Sequence, residues 1–160
     1  MTALALTALV TACSGGDDAT GDDADATTTV VRSTAEDAPL AVGQCGDVPR
    51  IRVGRALDPA AVEDVPCGDP HDVEVAAVLD HPAGPESDFP GEDAVDGYAA
   101  DQCQRRFADY VGIDYQASVL DIAYVAPGEG GWDDGDRRIA CVLYHSDFAP
   151  LTGSVRGTAL

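Results

Sequence analysis

With 160 residues the chain has room for one domain. Its 29 acids face nine arginines and no lysine, a net charge of −20. That charge argues against nucleic acid as a partner, because phosphates call for a cationic face, and against direct adhesion to anionic lipid. Its plain consequence is solubility.

Residues 3–12 (ALALTALVTA) carry no charge and close on the small residues Thr11 and Ala12, immediately before Cys13. This is the layout of a secretory h-region ending at a cleavage site. A bilayer span takes about 20 apolar residues, and acidic, Gly-rich sequence follows Cys13 at once. Leu9-Val10-Thr11-Ala12-Cys13 resembles the lipobox of a bacterial lipoprotein. The resemblance implies a signal peptide over 1–12, an acylated Cys13 as first mature residue, and a lipid anchor on the extracytoplasmic face of the cell membrane. No Lys or Arg precedes the apolar stretch, and a translation start further upstream would supply the expected positive n-region.

Residues 14–40 are rich in Asp, Thr, Ala and Gly and have no apolar period, so they bury too little to offset their ordering entropy. They hold seven acids against Arg32 alone. Segment 13–40 reads as a disordered acidic tether, about 30 Å in span as a flexible coil. It would hold a domain over 41–160 away from a membrane surface.

That domain contains Cys45, Cys67, Cys103 and Cys141. Four cysteines in an exported domain read as two disulfides, with three connectivities that spacing does not choose between. A metal site is the weaker reading, since Cys67-Gly-Asp-Pro-His71 is a close Cys/His pair but no C-x2-C occurs. No metal and no cofactor is expected.

The elements follow in chain order. Ile51–Leu57 alternates apolar and basic residues as a strand does; Val73–Leu79 begins with alternation and then turns wholly apolar. In Glu92–Val111 the residues Val95, Ala99, Cys103, Phe107 and Val111 recur every four positions, joined by Tyr110, which predicts one helix with a single apolar stripe. Glu92, Asp93 and Asp96 suit its N-terminal end, Arg105 and Arg106 lie toward its C-terminal end, and Gly112 supplies the stop. Because Cys103 lies on the stripe, its partner is expected in a sheet beneath. Ser118–Val125 and Arg138–Tyr144 are β-branched and aromatic and complete the strands. No helix follows each strand in turn, so the expected class is α+β: a small antiparallel sheet with one main helix packed on it and two disulfides.

Two clusters are candidates for chemistry. In Pro70-His71-Asp72-Val73-Glu74 a histidine lies between carboxylates, the material of a general base or a metal ligand. The structural alternative has His71 and Asp72 fixing the turn between Cys67 and the strand, with Asp72 bonding local backbone amides. No G-x-S-x-G accompanies the cluster, and Ser118 and Ser154 are ordinary serines in this respect. Asp133-Asp134-Gly135-Asp136 invites a calcium reading but lacks the EF-hand spacing. The structural alternative has Gly135 in a tight turn, Asp136 pairing with Arg137, and Trp132 on the sheet edge. An aromatic beside charges also furnishes carbohydrate or peptide grooves. The candidate binding residues are therefore His71, Asp72, Glu74, Trp132, Asp136 and Arg137.

Three islands read together: Val42-Gly43-Gln44-Cys45, then Val65-Pro66-Cys67-Gly68-Asp69-Pro70-His71-Asp72-Val73-Glu74-Val75, then Trp132-Asp133-Asp134-Gly135-Asp136-Arg137 running on to Cys141 and Tyr144. With a helical Cys103 between them and Leu151-Thr152-Gly153-Ser154 at the end, they resemble the septum-formation domain family of actinobacteria. The resemblance covers Val42 to Gly157. It implies an extracytoplasmic domain on a membrane or lipoprotein anchor, a link to division septa, and the pairings Cys45–Cys67 and Cys103–Cys141. The second pairing fits the helix stripe, which it would tie to the strand Ile139–Leu143. Gly46 departs from the pattern, where a hydrophobic or aromatic residue is expected after the first Cys.

The function expected from all this is a non-catalytic, lipid-anchored binding or accessory module of the cell envelope, linked to septum formation. Its partner would be the membrane through Cys13 and an envelope protein, a division protein or the cell wall. The alternatives are a small envelope hydrolase using His71 with Asp72 or Glu74, and a calcium-dependent adhesion module.

Overall fold

The computed structural model describes residues 39–49 and 61–160. Cys13, the signal and tether positions up to 38, and the strand expected at Ile51–Leu57 lie outside the described residues.

Strands β1 (Cys45–Asp47), β2 (Glu63–Val65), β4 (Val73–Asp80), β5 (Leu120–Val125) and β6 (Arg138–His145) form one sheet in the order β2-β1-β4-β6-β5. Every neighbouring pair is antiparallel. Helix α1 (Glu92–Val111) crosses one face and buries Val95, Ala99, Cys103, Phe107, Tyr110 and Val111, the whole expected stripe. Each large apolar side chain buried there is worth about 1.5–3 kcal/mol. The helix stops at Gly112, which is left-handed at φ 90° and returns its N–H to the Ala108 carbonyl. The α+β class and the single main helix are thus as the sequence indicates.

The mixed pattern of Val73–Leu79 has a cause in the register. Val75 stands opposite Val142, but Ala77 stands opposite Cys141, so Ala76 is an extra residue. Before this bulge Val73 and Val75 pack with Val142 and Tyr144 on the face away from α1. After it Ala77 and Leu79 join Cys103 and Ile139 on the helix side. One inserted residue switches which alternate positions face the helix, which is why simple alternation fails midway.

Two disulfides fasten this arrangement. Cys103–Cys141 ties α1 to β6, and Cys45–Cys67 ties β1 to the turn before β3 (Pro70–His71). With sequence separations of 22 and 38, the chain-entropy model gives about 3 and about 4 kcal/mol. Strand β3 pairs with β7 (Leu151–Thr152), and two-residue strands are too short to leave a periodic signal.

Two local expectations need correction. The fifth strand begins at Leu120, because the Ser118 hydroxyl accepts the Leu120 N–H at 3.0 Å and donates to the Leu160 carbonyl. That side chain serves a turn. Trp132 does not lie on the sheet edge. It sits in the short helix α2 (Glu129–Asp133), is buried, and donates its indole N–H to the Ser87 carbonyl at 2.7 Å.

Candidate functional site

His71 is held on β3 by its pairing with β7 and is 1% exposed. Its Nδ1 lies 2.8 Å from the Asp69 carbonyl. A carbonyl only accepts, so Nδ1 carries the hydrogen. Nε2 is buried and has no partner.

The two neighbouring carboxylates turn elsewhere. Asp72 accepts the Val48 N–H at 3.1 Å through Oδ2, while its own N–H meets the Gly46 carbonyl at 3.1 Å and Asp47 Oδ1 at 3.2 Å. Its side chain thus meets one amide, 24 positions away, in place of the local amides expected, and ties the turn into β4 to the residue after β1. Glu74 is fully buried in β4. Its Oε1 accepts the hydroxyls of Tyr110 at 2.5 Å and Ser154 at 2.6 Å, and its Oε2 accepts the Val155 N–H at 2.6 Å. The carboxylate thereby joins β4, α1 and the segment after β7. Around it Gly157 N–H meets the Tyr110 carbonyl, Ala159 N–H meets that of Val111, and the Arg156 guanidinium lies 4.7 Å over the Tyr110 ring. Burial, followed by the bond to Glu74, raises the Tyr110 pKa.

Beside His71 opens a cleft of about 500 Å³ lined by Asp47, Glu63, Asp72 and His71, with Pro49, Pro70 and Pro150 around it. Its polar side chains are three carboxylates and one imidazole. Asp47 and Glu63 were not legible as site residues, because the lining is assembled from four separated stretches of chain.

The second cluster is a packed unit. Arg137 is 8% exposed and lies 3.7 Å over the Trp132 ring. Its Nη1 donates to the carbonyls of Trp132 and Asp136, and its Nη2 to those of Gly84, Pro85 and Ser87, at 2.7–3.4 Å. The expected side-chain pair with Asp136 does not form. Five carbonyls and an aromatic face already hold the cation, and Asp136 Oδ1 instead accepts the Arg138 N–H at 2.8 Å. His81 packs edge-on against both Tyr98 and Trp132, with ring centroids at 4.5 and 5.0 Å. Burial, and secondarily the Arg137 charge, lower its pKa. With Trp132 at 1% exposure, this cluster offers no open aromatic groove. Gly135 does serve a turn, at φ 89°.

Elsewhere the Asp121 carboxylate accepts the Tyr115 hydroxyl at 2.6 Å, which pushes that phenol up to about 12. Among the described residues Phe148 is the most exposed large apolar side chain, 53% exposed and left-handed at φ 63°.

Residues 18–159 match the family described as septum formation. The chain belongs to that family. Comparison with curated proteins and with solved structures gives no match. The match takes in both disulfide pairs, the His71–Glu74 cluster and the Trp132–Arg137 unit of this septum-formation domain. The bridges are the two that the family resemblance implies.

Proposed function

We propose that this septum-formation domain is a non-catalytic binding or accessory module, held on the outer face of the cell membrane of an actinobacterium by an acylated Cys13. The observation that carries this reading is the pair of disulfides in a domain of the septum-formation family. Stable bridges belong to oxidising compartments. The lipobox-like run before Cys13 supplies the means of attachment, and its partner would be a division protein, another envelope protein or the wall.

The carboxylates support binding over hydrolysis. General-base catalysis needs an imidazole within reach of a nucleophile and oriented by an acid. Here Ser154 donates to Glu74, Asp72 caps a backbone amide, and His71 Nε2 meets neither. The cleft beside His71, with Asp47 and Glu63 on its wall, is the surface on which a partner would be read.

The test combines a fluorescent fusion, mass spectrometry of the membrane fraction and capture of partners from membranes. Concentration at division sites, a lipid on Cys13 and recovery of a division or wall component are expected. A cytosolic protein with free thiols would overturn the reading.

A further inference from the structure

We infer that the Cys45–Cys67 bridge covers a latent site for a thiophilic divalent cation such as zinc. Cys45 Sγ, a ring nitrogen of His71 and a carboxylate oxygen of Glu74 lie within 4.8 Å of one another, and all three residues are buried. A soft thiolate, an imidazole and a carboxylate are a donor set that zinc accepts.

Two further observations point to a ligand. His71 Nε2 has no partner although it is buried, and a polar atom in that position normally finds one. Its Nδ1–H on the Asp69 carbonyl fixes the tautomer with the Nε2 lone pair free, the arrangement typical of a metal-binding histidine. Glu74 is similarly prepared. A carboxylate has about four lone-pair positions, and Tyr110, Ser154 and the Val155 amide use three of them. Oε2 accepts from Val155 alone and keeps one for a cation.

In the resting molecule both sulfurs are in the bridge and neither is a thiolate. Opening the site takes a dithiol. It transfers two electrons and two protons to the bridge, leaves as its own cyclic disulfide, and yields the Cys45 and Cys67 thiols. Metal binding then displaces the Cys45 thiol proton. Cys67 is partly exposed and offers the attacking thiolate a route, whereas Cys103 and Cys141 are 2% and 1% exposed. Bridge and metal therefore exclude one another at one place in the fold.

Cobalt(II) is the probe, titrated into the full chain before and after dithiol reduction. The reduced chain should bind one equivalent with a thiolate-to-metal charge-transfer band and tetrahedral d–d bands, and zinc should bleach both. The oxidised chain should show neither. Cys45→Ser should abolish the charge-transfer band, and His71→Ala should weaken binding at least tenfold. A Cys103→Ser/Cys141→Ser double variant should keep the full signal. Should it fail to fold, Cys45→Ser in the otherwise unchanged chain answers the same question. Absence of cobalt binding after reduction, equal binding by the oxidised chain, or a signal indifferent to His71→Ala or Cys45→Ser would overturn the assignment.

Discussion

The Tyr110 hydroxyl donates to Glu74 Oε1 at 2.5 Å, joining α1 to the middle strand of the sheet across 36 positions of sequence. Because Ser154 and the Val155 amide meet the same carboxylate, its loss strands three donors at once. Glu74→Ala should cost about 3–5 kcal/mol in urea unfolding, since each buried donor left without its acceptor costs about 1–3 kcal/mol. Tyr110→Phe removes a single bond and should cost about 1–2 kcal/mol. Equal costs for the two variants would contradict the shared role of the carboxylate.

Close packing accounts for a glycine at position 46. A Cβ there would lie 2.7 Å from Val62 Cγ1 and 2.8 Å from the Glu63 carbonyl oxygen. The carbonyl belongs to paired backbone in β2 and does not yield cheaply. Gly46→Ala should cost about 1–3 kcal/mol, as overpacking does. Val62→Ala in the same chain should recover only part of that loss, which a double-mutant cycle in urea would read.

Arg137 tests whether shape or charge holds the 84–87 loop. Its planar fork reaches five carbonyls and stacks on Trp132, which a lysine ammonium cannot reproduce. Arg137→Lys should therefore lose about 2–4 kcal/mol despite keeping the charge. Hydrogen exchange should quicken between 84 and 91 in that variant, while β4 and β6 stay protected.

His81 predicts a pH dependence of defined sign. Burial first, and then Arg137, lower its pKa from 6.5, so the folded chain binds this proton less readily than the unfolded chain. Its contribution to stability is complete above about pH 6.5 and is lost as the pH falls below it, with a slope of at most about 1.4 kcal/mol per pH unit. His81→Gln removes that proton. The difference between wild-type and variant unfolding free energies should change between pH 7.5 and 5.5 in favour of the variant. A constant difference would sink the assignment.

Much of the fold was legible because its signals were local. The α1 stripe repeats through five positions, and Gly112 marks its end. What escaped was non-local. The Ala76 bulge is a register event between two strands: the lapse of alternation within β4 marks its place, but only the pairing with β6 reveals it. Trp132 and Arg137 stood out in the sequence as candidate binding residues, but the carbonyls that enclose Arg137 include those of Gly84, Pro85 and Ser87, about 50 residues upstream. Glu74 read as a neighbour of His71, whereas its hydrogen-bond partners come from α1 and the segment after β7.

The segment that follows β7 reaches back to Glu74 over 80 positions and supplies amides to the end of α1. A polypeptide emerging from its amino end would thus present the helix and the sheet long before their clasp arrives. Closure on Glu74 waits until residues 154–159 are available. A nascent protein stalled near position 150 should remain open to proteases that the finished one resists.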